Sequence, residues 1–312
     1  MIILTDNVAF ARRCVPHSGG WQEQQVSALS PGLSAVAAEL FDTETIMVSE
    51  TAGGRYWDYL IAVDCARHSQ YDALSRLALS AHQPPDRTLC CAGYGEEFHG
   101  FKNRHWQACE GNIHVSAFLR PAMEVSGGAA GFIIATVIAG LQTVRSFDLQ
   151  GAHAAIKWVN DILVGGAKVG GVLARLQKQG PVTESAVVGI GLNVEQSPPL
   201  ERDAYVPVVA SVSDFVKETG TCRHADAFPR LMEYLGKNLE DLRSGQYTRL
   251  LDRYRRHSLV LGREVSVYKD SRDDSAGLIA RGLVEAVGQS LELSIAGYPE
   301  PVTSGRLVLG DG

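Results

Sequence analysis

A lysine, Lys157, on a strand in an otherwise apolar context constrains this chain more than any other feature. The string AIKWVNDILVGGAKVGGVLARL, residues 155–176, reads as strand, tight turn and strand, with Lys157 in the first strand. Burying an ammonium without an anionic partner is costly. Lys157 therefore reaches a pocket rim, meets a carboxylate or phosphate, or snorkels at a strand edge. Trp158, Asn160 and Asp161 follow it at once, and the flanking turns are glycine-rich, which favours a site. Gly170 and Gly171 permit close approach of a ligand or a neighbouring strand. AVVGIGLNV, residues 186–194, reads as the strand that closes the sheet region. Asn193 at its end either bonds a polar ligand or forms a turn.

The 312 residues suit two domains, or two with a small third. Residues 1–57 mix the apolar strings MIIL and TIMV with turn-rich stretches and a short amphipathic helix at 31–41, giving a small α/β extension of unread role. DYLIAV, TLCCAG and NIHVSAFLRP read as strands. SQYDALSRLALSA reads as a helix, with Leu74, Leu77, Ala78 and Ala81 on one face and Ser69 placed to cap it. GGAAGFIIATVIAGLQTVRSF is about 20 residues long, enough to span a membrane. Its four glycines, with Gln142 and Arg145, instead predict a buried helix. SVSDFVKETG and DAFPRLMEYLGKNLEDLRSGQYTRLLDRYRRHS read as further helices. Beyond Ser258, four short β segments predict a small antiparallel barrel. The expected units are 1–57, 58–258 and 259–312.

Hydrophobic residues make up 45% and charged ones 21%, which excludes a disordered or fibrous chain. A net charge of −6 argues against a nucleic-acid surface, and no membrane partner is expected. The first residues, MIILTDNVAFARRC, lack the pattern of a signal peptide. The six cysteines contain no C-x-x-C pair, consistent with reduced, mostly buried thiols in a cytoplasmic protein. No histidine spacing argues for a metal held by the protein alone.

Taken together, the strings KWVND (157–161), VGGVL (169–173) and GIGLN (189–193) resemble the biotin protein ligase family, which is related to the lipoate ligases. RHW at 104–106, GNIHVSAFLRP at 111–121 and HSQYDALSRLA at 68–78 extend the resemblance, as does a C-terminal stretch similar to the family's SH3-like domain. It covers roughly residues 58–309. The implied fold is α+β: a mixed, mostly antiparallel sheet with helices, of the class II synthetase-like kind, plus a small C-terminal SH3-like β-barrel. The implied reaction joins biotin to MgATP as biotinyl-5′-adenylate, then passes it to a lysine of a biotin carboxyl carrier domain. Relatives are monomers or dimers, so a homodimer is one expectation.

Residue by residue, the resemblance makes Lys157 the central cation on the carboxylate and α-phosphate, with Arg104 beside it in the catalytic set. Ser69, Gln70, Tyr71, Gly95, His99, Gly100, Phe101, Gly170 and Gly171 fall to biotin. Lys102, Trp106, Asn160, Asp161 and Asn193 fall to the nucleotide and its Mg²⁺. The family's G-R-G-R-R-G-R loop corresponds to residues 98–104, where two arginine positions hold His99 and Phe101. Neither replaces a bidentate guanidinium. A single preorganised donor is worth about 3 kcal/mol of barrier. Two alternatives therefore stay open: a relative that binds a small carboxylic acid or its adenylate without turnover, and a lipoyl or octanoyl ligase.

Overall fold

The computed structural model describes residues 1–52, 54–199, 208–217, 222–269 and 277–310. In chain order the elements begin β1 (Ile2–Thr5), α1 (Val8–Cys14), β2 (Gln22–Gln25), α2 (Pro31–Leu40) and β3 (Thr45–Glu50). The central elements are β4 (Tyr59–Ala66), α3 (Gln70–Leu77), β5 (Thr88–Gly95), β6 (Ile113–Leu119), β7 (Met123–Glu124) and α4 (Gly128–Arg145). Next come β8 (Ala154–Lys157), β9 (Asp161–Val164), β10 (Ala167–Gln179), β11 (Val182–Leu192), α5 (His224–Arg243) and α6 (Tyr247–Arg256). The chain ends with β12 (Glu264–Tyr268), β13 (Leu278–Val287), β14 (Leu293–Ile295) and β15 (Arg306–Leu309).

Eleven strands form one mixed sheet in the order β2-β3-β1-β4-β5-β6-β11-β10-β9-β8, with β7 paired to β11. Only β1–β4 and β4–β5 pair in parallel, so the sheet is mostly antiparallel, as the resemblance implied. The N-terminal segment is not a separate layer. β1 runs beside β4, and Ile3 and Phe10 join the main core. Read alone, the polar β2 and the short apolar β3 gave no sign of the strand they would pair with.

Strand alternation divides the two faces between two cores. One face meets α1, α4, α5 and α6, with Val188, Ile190 and Leu192 of β11 buried there. The other meets α2 and α3, with Ile61, Cys90 and Phe118 pointing toward them. The apolar 128–145 segment is the predicted buried helix. It is long and apolar enough to cross a membrane, yet it is enclosed along most of its length. Its polar groups are satisfied internally: Thr136 and Thr143 donate to Phe132 O and Ala139 O, one turn back, at 2.8 and 2.9 Å.

Several local expectations change. Ser69 precedes α3 but its side chain makes no capping bond, and the helix stops at Leu77, leaving Ala81 outside. The long helical stretch after residue 223 breaks at Gly245, whose φ of +78° ends α5 before α6 starts. The expected helix at 211–220 is a single 3-10 turn at Val212–Phe215, and its later part lies outside the described residues. The strand expected to close the sheet, β11, lies inside it between β6 and β10. The 155–176 string makes two hairpins rather than one, the second turning at Gly165–Gly166 with φ of +55° and +85°. The C-terminal segments form a four-stranded antiparallel sheet, β14-β13-β12-β15, and no β14–β15 pairing closes it among the described residues.

Phe132 of α4 is fully buried between sheet and helices. Phe132→Ala should lower unfolding stability by about 3–5 kcal/mol, read as a lower urea midpoint with an unchanged slope.

Candidate functional site

Sheet register places the chemistry in one line. Lys157 lies opposite Asp161, Asp161 opposite Gly171, Gly171 opposite Gly191, and Gly191 opposite His114. Directly paired residues point to the same face, so two charged groups, two bare glycines and an imidazole cross five strands in a row. The glycines leave a trough between the charged end and His114. Around this row the protein encloses a cavity of about 350 Å³.

Lys157, at the end of β8, is only 8% exposed. Burial pushes its ammonium below its usual pKa, and the nearby Lys168 and Arg104 push it the same way, while Asp161 opposes both. Asp161 already bonds Lys168 at 2.7 Å. Among the described lining residues Asp161 is the sole acid, against Lys157, Lys168, Arg104 and Arg306. Cations thus outnumber acids among the described lining residues, a chemistry suited to a phosphate or carboxylate.

Glycines at alternate positions of β11 make room for aromatic rings. A Cβ on Gly189 would collide with Tyr71, and one on Gly191 would land within the Trp106 indole. Trp106 Nε1 donates to His114 Nδ1 at 3.4 Å, and His114 Nε2 donates to Cys109 O at 3.2 Å. That arrangement needs a neutral imidazole, and burial lowers the His114 pKa to about 4. Gln70 Nε2 donates to His114 O at 2.6 Å, leaving Gln70 Oε1 buried without a partner. Asn193 Oδ1 is likewise orphaned while its amide nitrogen donates to Ala210 O. Both residues line the cavity, so a bound N–H donor would relieve two acceptors that each cost about 1–3 kcal/mol when unmet.

The loop between β5 and β6 is a hairpin, held by Gly100 N to Arg104 O at 2.7 Å and Trp106 N to Phe98 O at 2.9 Å. His99 is tied down by Asp72, 2.7 Å from its Nε2. Arg104, Gly100 and Phe101 line the cavity, whereas Lys102 does not, its Nζ lying over the Phe101 ring. Gly95 and Gly170 do not line it either. A Cβ on Gly95 would strike Ala66 O, and one on Gly170 would strike Leu192, so both are packing glycines. Ser69, Tyr71, Asn160 and Gly171 do line it, although the Asn160 amide already donates to Val172 O at 2.6 Å.

Sequence reading missed Lys168, Arg306, His105 and Gln107 as lining residues. Lys168 reaches this face through a register shift between Lys168 and Gly170, which simple alternation does not foresee. Arg306 arrives from the C-terminal sheet. The two sheets are joined where Trp158 Nε1 donates to Leu291 O at 2.6 Å, beside Lys157.

Residues 73–193 match the model of the biotin/lipoate A/B protein ligase family. The chain is 30% identical over 155 residues to the bifunctional ligase/repressor BirA of Bacillus subtilis, covering 47% of this chain and 46% of that protein. It thus spans slightly less than half the length of that relative. It is 29% identical over 261 residues to the biotin–[acetyl-CoA-carboxylase] ligase of Mycobacterium tuberculosis, covering 82% and 90%. The fold is shared with the biotin protein ligase of Aquifex aeolicus, solved with biotin and ATP, at 18% identity. That superposition has a TM-score of 0.61 and covers 82% of this chain and 100% of the other.

Two measurements check the site. Gly191→Ala should tilt Trp106 away from His114 and cost about 1–3 kcal/mol of overpacking, seen as altered tryptophan emission and a lower melting temperature. Because folding lowers the His114 pKa from 6.5 to about 4, its contribution is fully present above pH 6.5 and is lost as pH falls toward 4. His114→Phe should flatten that part of the acid-stability profile, and an unchanged profile would remove His114 as its cause.

Proposed function

We propose, from the match of residues 73–193 to the biotin/lipoate A/B protein ligase family, that the chain is a biotin–protein ligase. The observation that carries this reading is the buried Lys157 ammonium at the end of a cavity whose described lining also brings together Lys168, Arg104 and Arg306. In the proposed first step a carboxylate oxygen of biotin attacks the α-phosphorus of ATP, an acyl–phosphate bond forms, and pyrophosphate departs. Negative charge develops on the transferring oxygens, where Lys157 and Arg104 would meet it. In the second step a neutral lysine amine of a carboxylase carrier domain attacks the acyl carbon, and AMP leaves.

Biotin's ureido group offers N–H donors to the orphaned Gln70 Oε1, and its fused rings suit the walls made by Tyr71 and Trp106. Asn193 Oδ1 and Arg306 then fall on the nucleotide side. Mg²⁺ supplies charge neutralisation to the phosphates. Among the described lining residues Asp161 is the one acid and is bonded to Lys168, so the nucleotide itself would chiefly hold the ion. The same reading gives residues 58–258 the chemistry, lets residues 259–312 close the cavity edge through Thr303–Leu307, and places the protein in the cytoplasm.

A second reading, a binder without turnover, draws on the loop: of the residues at family arginine positions, His99 is bonded to Asp72 and Phe101 is 44% exposed. One assay separates the two. Pure protein with MgATP and biotin should release pyrophosphate and label a carrier domain, more strongly than with lipoate or octanoate. Lys157→Met should reduce kcat on the order of 10²–10³-fold. Tight biotin binding without pyrophosphate release would establish the second reading, and an undiminished Lys157→Met variant would end the first.

A further inference from the structure

Across the sheet from the cavity, Cys14, Cys91 and His224 converge. One ligating atom from each lies within 4.8 Å of the others. Cys14 ends α1, Cys91 sits in the middle of β5, and His224 begins α5, so three segments distant in sequence meet at this point. All three are buried, at 1%, 1% and 4% exposure. Neither ring nitrogen of His224 has a hydrogen-bond partner. A buried imidazole without partners on both nitrogens is rare, because each unmet polar atom costs free energy. The ring is held by aromatic neighbours instead: it stacks on Phe228 at 5.3 Å and tilts against Phe10 at 5.8 Å. Its backbone N–H is fixed by Glu195 Oε1 at 2.7 Å.

We propose that Cys14, Cys91 and His224 form a buried site for one thiophilic d¹⁰ metal cation, Zn²⁺ or Cu⁺. Thiolate and imidazole are the ligands such ions select. Binding forms two metal–sulfur bonds and one metal–nitrogen bond. The two thiol protons go to solvent, and no electron is transferred. With Zn²⁺ the two thiolates and a neutral imidazole leave no net charge, which suits an interior this dry. The nearby Arg13 guanidinium is engaged by Asp64 at 3.7 Å and Glu110 at 3.3 Å, so its repulsion of a cation is offset. An ion here would staple α1 and α5 to the sheet. Glu195 links it to the β11 end that carries Asn193, away from the residues assigned to catalysis.

The test uses the full-length chain, stripped of metal and kept reduced. Zn²⁺ is titrated against a chromogenic chelator, Cu⁺ is titrated anaerobically against a copper(I) chelator, and Co²⁺ serves as the spectroscopic stand-in for zinc. One equivalent of either ion per chain is expected, with thiolate-to-cobalt absorption in the zinc case and a raised melting temperature. Tight binding of Zn²⁺ or of Cu⁺ alone tells the two ions apart. Cys14→Ala, Cys91→Ala and His224→Phe, the last retaining the ring stack, should each weaken binding at least about tenfold. Cys90→Ala is the control, since its neighbouring thiol points into the opposite core. Failure of the folded wild type to bind either ion stoichiometrically would overturn the proposal. So would wild-type affinity in His224→Phe, equal loss in Cys90→Ala, or a resting Cys14–Cys91 disulfide found by mass spectrometry.

Discussion

The burial of one ammonium governs the architecture around it. Lys157 leaves water at the end of β8, and an isolated charge there would be expelled or neutralised. The sheet answers with Asp161 directly across the hairpin, but Asp161 is shared with Lys168. Among the described lining residues Lys157, Lys168, Arg104 and Arg306 gather around this one carboxylate. What results is a polarised cavity, its described lining richer in cations than in acids. Trp158, next in sequence, anchors this hairpin to the C-terminal sheet, and Tyr254 Oη donates to Val159 O at 2.9 Å from α6. The charged corner is therefore braced from two sides, and a fixed charge is what electrostatic stabilisation requires.

The same strand builds both the core and the site. Along β11, Val188, Ile190 and Leu192 pack beneath α4, while Gly189, Gly191 and Asn193 face the cavity. Large residues on one side and hydrogen atoms on the other follow from the two-residue period of a strand. The glycines are the places where Tyr71 and Trp106 lie flat against the sheet. A side chain there would lift both rings and fill the trough between Lys157 and His114.

The positive charge of the cavity comes mainly from the sheet and the C-terminal strands, less from the β5–β6 loop. Among the described loop residues only Arg104 both lines the cavity and carries a permanent charge, since Lys102 is not part of the lining. The loop's own hydrogen bonds and the His99–Asp72 contact hold it as a hairpin.

Sequence by itself determined the elements whose signal is local and periodic. The buried helix at 128–145 and the strands at 59–66, 88–95 and 113–119 were legible because burial imposes a repeat of 3.6 or 2 on the side chains. Lys157 was legible because a charge among apolar residues is expensive enough to demand a reason. Tertiary structure decided the rest. Residues 1–57 became part of the main sheet through pairing with β4, which no short window of sequence contains. Gly170 and Gly171, alike in sequence, were assigned to opposite faces, and a register shift turned Lys168 toward Asp161. Arg306 and the Cys14–Cys91–His224 cluster owe their positions to contacts between segments far apart in the chain. Local sequence carries propensity and period; only the closed fold specifies which distant atoms become neighbours.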